Sequence, residues 1–375
     1  MSKYIPYGRQ TIEDDDIKAV VKTLKSDFIT TGPQIDLFEK KITKFCGAKY
    51  GVAVSSGTAA LHAAMYAIGI GEGDEVIVPS MTFAATANAV VFQGGTPVFC
   101  DVSAETMLID VVAAEKLITK KTKAIIAVDF AGQPCRYNLL KHLASKYNLI
   151  IIADACHSIG AIYDEEKVGS TLADITLFSF HPVKHITTGE GGMLVTDKEE
   201  FYQRAKIFRN HGITTDYKQR EENGSWFYEM VDLGYNYRIT DIQCALGISQ
   251  LKKLPSWLKR RNEIAKKYND SIRKIFDIAP LKVRENLYHA YHLYVVNFEY
   301  GKQRNEKFNF LREKNIGVNV HYIPVHLHPF YQNNFNTHEG LCPVAEILYK
   351  HILSLPIFPT MTDEDVDYVV EQLRE

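Results

Sequence analysis

Asn148-Leu149-Ile150-Ile151-Ile152-Ala153-Asp154 places four consecutive aliphatic residues, Leu149 to Ile152, just ahead of a carboxylate. A run this apolar offers no face to water, so it reads as a strand buried on both sides of a sheet. Tyr50–Val54, Glu75–Pro79, Thr96–Asp101 and Thr122–Val128 read the same way. Between these runs the apolar spacing becomes helical, near Val111–Ile118 and over Tyr137–Tyr147, and Met81–Ala89 reads as a turn and helix with Phe83 at its start. Strands covered on both faces and alternating with helices predict an α/β fold with a mainly parallel sheet. Ligands of such sheets sit beyond the carboxyl ends of the strands. Asp154 stands at one of these ends, either capping the next turn or facing a ligand with its charge. His157, three residues on, could reach the same ligand or serve as a structural hydrogen-bonder.

Working outward, Tyr50–Val54 runs into Ser55-Ser56-Gly57-Thr58 and then the alanine-rich Ala59-Ala60-Leu61-His62-Ala63-Ala64-Met65. A strand, a turn of small residues and a helix start present free N–H groups and the positive end of a helix dipole. That is a site for an anion such as phosphate, or else an ordinary turn capped by a hydroxyl.

The other neighbour is Phe178-Ser179-Phe180-His181-Pro182-Val183-Lys184-His185-Ile186-Thr187-Thr188-Gly189-Glu190-Gly191-Gly192-Met193. Asp174–Phe180 reads as a buried strand and Gly191–Thr196 as a second strand after a tight turn. Lys184 lies between them, where loss of hydration disfavours its charged form and makes the amine a nucleophile. Lysine nucleophiles form Schiff bases with carbonyls, including the aldehyde of pyridoxal phosphate (PLP). Most lysines are surface residues, so the companions decide the matter.

The flanking chain is helical over Thr11–Lys25, where Glu13-Asp14-Asp15-Asp16 suits a helix N-terminus better than a metal cluster. A second helix is expected over Gln34–Cys46 and a third over Glu199–His211, with a polar loop at Gly212–Trp226 and an aromatic-polar turn at Asp232–Arg238. From Thr240 a long helix begins, is interrupted by Pro255, and resumes over Trp257–Ile275. The domain boundary is placed there, giving a large domain over residues 1–250 and a smaller C-terminal α/β domain over 251–375 with strands at Leu293–Phe298 and Val318–Tyr322. His321, His326 and His328 invite a metal, but the neighbouring sequence holds no carboxylate or cysteine and two prolines break the segment. A polar substrate loop is the better reading, and no metal is expected.

A net charge of −2 over 375 residues argues against a general nucleic-acid binder, and no apolar run is long enough to cross a membrane. The six cysteines (Cys46, Cys100, Cys135, Cys156, Cys244, Cys342) form no CxxC pair, and residues 1–9 have no signal-peptide core. Both features point to the cytoplasm.

Assembled, these residues resemble the PLP-dependent aminotransferases of fold type I, and among them the DegT/StrS-type sugar aminotransferases. The likeness runs from Ile5-Pro6-Tyr7-Gly8-Arg9-Gln10 to Leu355-Pro356-Ile357-Phe358-Pro359. It is carried by Ser56-Gly57-Thr58-Ala59-Ala60-Leu61, Asp154-Ala155-Cys156-His157-Ser158, the lysine stretch, and Gly234-Tyr235-Asn236-Tyr237-Arg238. The resemblance implies that Lys184 is the Schiff-base lysine, that Asp154 pairs with the pyridine nitrogen, and that His157 lies near the phenolic oxygen. It implies a phosphate site of Gly57, Thr58, Ala59 and Ser179, with Phe83 against the ring. Asn236 is implied to reach the cofactor of a neighbouring subunit, making the active unit a homodimer with shared sites, and Tyr7, His321 and Tyr322 are implied to bind substrate. Cys156 stands where alanine is frequent in the family.

Within the family, Ile5–Gln10, Ser26–Pro33 and Asn319–His326 resemble the 4-aminotransferases of pseudaminic acid biosynthesis. The implied substrates are a UDP-linked 2-acetamido-2,6-dideoxy-4-hexulose and L-glutamate; another UDP- or dTDP-linked 4-keto-6-deoxyhexose is the alternative. Relatives that dehydrate carry histidine in place of the lysine, and a dinucleotide-binding dehydrogenase requires a GxGxxG after the first strand; neither pattern is present.

Overall fold

The computed structural model describes residues 3–215, 220 and 224–375. Along these the strands are β1 (Tyr50–Val54), β2 (Glu75–Pro79), β3 (Thr96–Cys100), β4 (Thr122–Val128), β5 (Ile150–Asp154), β6 (Ile162–Tyr163) and β7 (Glu166–Lys167). They continue with β8 (Ile175–Ser179), β9 (Gly192–Thr196), β10 (Ile278–Pro280), β11 (Leu287–Tyr288), β12 (Tyr294–Phe298) and β13 (Ile352–Leu355).

The aliphatic runs assemble into a seven-stranded sheet in the order β1-β9-β8-β5-β4-β2-β3. β9 is antiparallel to both of its neighbours. The pairs β2–β3, β2–β4, β4–β5 and β5–β8 are parallel. Val128, Asp154 and Leu177 stand in register, so the carboxyl ends of β4, β5 and β8 form one edge. Burial on both faces explains the composition: Ile125, Ile126, Ile152 and Leu177 are fully buried.

A second core is built around the antiparallel sheet β10-β12-β13. Its members include Ile264, Tyr268 and Ile272 of the Asp241–Ile272 helix and the N-terminal Ile5, which bridges to Ile316. That helix is capped by Thr240, whose hydroxyl accepts from Gln243 N, and it is continuous through Pro255. The interruption expected there does not occur. Proline removes a helical bond to Leu251 and costs about 3 kcal/mol in a free helix. Here Leu251, Leu254, Trp257 and Leu258 on both sides of it are anchored in the main core.

Val318–Tyr322 is also not a strand: Asn319 makes a single bridge to Ser354, and β13 takes the sheet position beside β12. Glu199–Arg209 is helical as expected. Of the polar loop expected over Gly212–Trp226, residues 216–219 and 221–223 lie outside the described residues. Among the described residues no helix is long and apolar enough to cross a membrane.

Candidate active site

A cavity of about 670 Å³ opens at the carboxyl edge of the main sheet. Tyr7, Gly57, Thr58, Phe83, Asp154, His157, Ser179, Lys184, His321 and Tyr322 all line it. The fold thus gathers residues as far apart in the chain as Tyr7 and Tyr322. Two of the expected residues are elsewhere. Ala59 sits inside the first helical turn, and Asn236 is exposed in a segment that bridges to Asn210.

One wall is the start of the Gly57–Ala67 helix. Ser56 is its N-cap, and its hydroxyl accepts from Ala59 N at 3.0 Å. The Ala59 amide is therefore spent on the cap, which leaves the N–H groups of Gly57 and Thr58, at the first two helical positions, without intrahelical acceptors. Small residues are required here. A Cβ on Gly57 would stand 2.9 Å from Ser179 Cβ, and one on Gly192 would stand 2.3 Å from Ser56 O. The helix start, the end of β8 and the start of β9 are in backbone contact, with Ser179 at the junction. This is an anion cradle of two amides, a hydroxyl and a helix dipole.

Asp154 ends β5 at 6 % exposure. Its Oδ2 accepts from Thr86 Oγ1 at 2.8 Å, and Thr86 lies 2.8 Å from Thr82 Oγ1. Its Oδ1 is 3.3 Å from the donating amide of Cys156. The buried hydroxyl pair fixes the carboxylate's orientation without neutralising it.

Lys184 is half-buried in the turn between β8 and β9. Loss of hydration lowers its pKa, and the neighbouring Cys156 thiol and Asp154 carboxylate oppose that shift. The amine is thereby moved toward its nucleophilic form while staying beside a carboxylate. Burial, followed by Lys184, drives His157 well below the ordinary histidine range. His157 is neutral there, with Nε2 3.1 Å from Tyr322 Oη. His321, its Nδ1 2.8 Å from Ser354 Oγ, is lowered to about 4 for the same reasons. Phe83 is 63 % exposed at the mouth, 6.2 Å from the Tyr322 ring.

A nucleophilic lysine, a strand-end carboxylate and a phosphate cradle in one cavity are the parts that a phosphorylated pyridine aldehyde requires, and residues 10–374 match the DegT/DnrJ/EryC1/StrS aminotransferase family. The chain belongs to this family. Among relatives of this DegT/DnrJ/EryC1/StrS chain, the spore coat polysaccharide biosynthesis protein SpsC of Bacillus subtilis is 41% identical over 99% of the chain and 97% of its own length. The sugar aminotransferase Spr1654 of Streptococcus pneumoniae, in its PMP form, superposes with a TM-score of 0.93 at 34% identity, covering 99% of this chain and 98% of its own. It is also known in a PLP form, at a TM-score of 0.92. PseC of Helicobacter pylori, an aminotransferase involved in the biosynthesis of pseudoaminic acid, superposes at 0.92 with 32% identity, covering 99% and 98%. The architecture is that of fold type I, and the protein is a PLP-dependent sugar aminotransferase.

The cavity fits that cofactor on its own terms. The Gly57 cradle admits a phosphate where a side chain is excluded, and His157 Nδ1 is buried without a partner. Several members of this family site were not legible in the sequence. Thr82, Thr86, Glu190, His292 and Asn319 line the cavity. Thr86 lies 68 residues from the carboxylate it orients, within an alanine-rich stretch that reads only as helix. Among the described residues no group of three or more His, Cys, Asp or Glu side chains is placed to hold a metal. His326 instead pairs with Glu346 Oε1 at 2.8 Å, a carboxylate twenty residues away in sequence.

Proposed function

We propose that this enzyme transfers the amino group of L-glutamate to C4 of a UDP-linked 2-acetamido-2,6-dideoxy-4-hexulose, giving UDP-4-amino-4,6-dideoxy-N-acetyl-β-L-altrosamine for pseudaminic acid biosynthesis. The observation that carries the chemistry is the convergence of Lys184, Asp154 and the Gly57–Thr58 amides on one cavity. The choice of sugar rests on the likeness to PseC over 99% of the chain and on the Asn319–His326 segment, of which Asn319, His321 and Tyr322 line the cavity.

Lys184 is the covalent anchor for the aldehyde carbon and, once released, the base that moves the donor's α-proton. PLP, when bound, supplies the electron sink that lets the amino group pass between substrates. Asp154, oriented by Thr86, holds a proton on the pyridine nitrogen. Gly57, Thr58 and Ser179 would hold the PLP phosphate, Phe83 would lie against its ring, and neutral His157 would lie beside its phenolic oxygen. Tyr7, His321 and Tyr322 contact the sugar. Asn236 completes the phosphate site of a partner subunit in a homodimer. The free cysteines fit a cytoplasmic enzyme.

A second reading, another nucleotide-linked 4-keto sugar, is kept because PseC is one of several sugar-aminotransferase neighbours: Spr1654 superposes at 0.93 with 34% identity, against 0.92 and 32% for PseC. A glutamate-coupled assay over UDP- and dTDP-linked 4-keto sugars separates them. The first reading predicts that kcat/KM is highest for the UDP-2-acetamido substrate. Preference for a dTDP sugar lacking the acetamido group assigns the second.

A further inference from the structure

His292 plays no part in the chemistry described so far, yet it lines the same cavity. Its ring centroid is 4.3 Å from that of His157, with 36° between the planes. Both rings are buried, and each has a buried Nδ1 with no hydrogen-bond partner. No hydrogen bond joins the two rings, so His292 meets His157 by ring packing alone.

The contact is built by the backbone. Gly132 has φ of +103°, and a Cβ there would stand 2.7 Å from His157 O, 2.8 Å from Tyr291 N and 3.0 Å from His292 N. Only glycine lets the turn after β4 wedge between the two histidine segments. Ala290 N donates to Gly132 O at 3.0 Å and Leu293 N to Ala131 O at 3.2 Å. From the opposite side Arg261, 1% exposed, donates to the carbonyls of Tyr291 at 3.0 Å and His292 at 3.4 Å. The segment that carries His292 is clamped at both ends of its backbone.

We propose that His292 is a positioning residue that holds the His157 ring in register with Tyr322. The inference rests on the reading in which His157 lies beside the phenolic oxygen of PLP. The charged and titratable groups facing the pair are Tyr322, Lys184, His185, His321 and Arg261. With burial, the last four keep both imidazoles neutral, so the two rings stack without repulsion. A ring that drifts alters the environment of the phenolic oxygen, which the absorbance of bound PLP reports.

The test compares His292→Ala with His292→Phe by rapid kinetics of the glutamate half-reaction and by pH titration of bound-cofactor absorbance. The alanine variant is expected to lose roughly 10- to 100-fold in rate, the scale of a misplaced catalytic group. Its absorbance midpoint is expected to shift while the glutamate KM stays nearly constant. The phenylalanine variant, which keeps the ring, is expected to restore both. A folded alanine variant with the wild-type rate and midpoint overturns the proposal, as does a phenylalanine variant as impaired as alanine. If the alanine variant fails to fold, His292→Leu takes its place: a midpoint shifted in the leucine variant and restored in the phenylalanine variant supports the role, and an unshifted leucine variant refutes it. A wild-type protein that binds no PLP overturns the reading of the site itself, a result distinct from the others.

Discussion

Thr86 Oγ1 donates to Asp154 Oδ2 at 2.8 Å, and both residues are buried. Thr86→Val keeps the shape and leaves the carboxylate one donor short, a loss of about 1–3 kcal/mol for a buried acceptor. The Kd for PLP is expected to rise about tenfold, with a parallel fall in kcat. Equilibrium titration with PLP checks this. An unchanged Kd removes Thr86 from the site.

Gly192 meets Ser56 O and Gly57 N through backbone atoms that cannot swing away. Gly192→Ala is expected to push the start of the Gly57–Ala67 helix out of line, to cost about 1–3 kcal/mol of stability, and to weaken PLP more than it weakens pyridoxal. Binding of the two vitamers to the variant measures the phosphate's share. An equal loss for both places the damage outside the cradle.

These two relationships show what the sequence could and could not reveal. Ile150–Asp154, Thr122–Val128 and the Tyr137–Tyr147 helix were legible because their apolar patterns are local and are satisfied by one sheet. The cavity's lysine, carboxylate and helix start were legible for the same reason, each sitting at the end of such an element. Thr86 and His292 were not, because their partners arrive from distant segments. Pro255 misled because a local rule ignores the core on both sides of it, and Val318–Tyr322 misled because its apolar pattern meets β13 at only the pair Asn319–Ser354.

Asp129, fully buried beside the site, accepts from Ser158 Oγ at 2.6 Å, Tyr137 Oη at 2.7 Å and Cys135 N at 2.8 Å. Burial pushes its carboxyl up to about 6 against those donors. A carboxyl raised on folding stabilises the protein fully below its unfolded pKa of about 4, and that contribution is lost as pH rises through about 6. Asp129→Asn lacks it. The wild-type-minus-variant stability is expected to fall by roughly 2 kcal/mol between pH 4 and pH 7, measured by urea unfolding. A flat or rising difference means that the donors dominate and the group is ionised throughout.

Asn236 is exposed and lies off its own chain's cavity, paired in backbone register with Asn210. If it serves a partner's site, mixing Lys184→Ala with Asn236→Ala creates one site with both native residues in each mixed dimer. Activity is expected to return toward one quarter of wild type after random exchange, given that each variant alone is nearly inactive. Size-tagged chains confirm the exchange. Confirmed exchange without activity assigns Asn236 to its own subunit or to no role.

Reductive trapping measures most directly whether Lys184 is the residue bonded to PLP. Borohydride treatment of the purified holoenzyme, followed by proteolysis and mass spectrometry, is predicted to leave a single pyridoxyl-phosphate adduct on the peptide containing Lys184. It is also predicted to abolish the near-visible absorbance, and Lys184→Ala is predicted to give no adduct. An adduct on another lysine, or trapping that persists in Lys184→Ala, would rule out Lys184 as the anchoring residue.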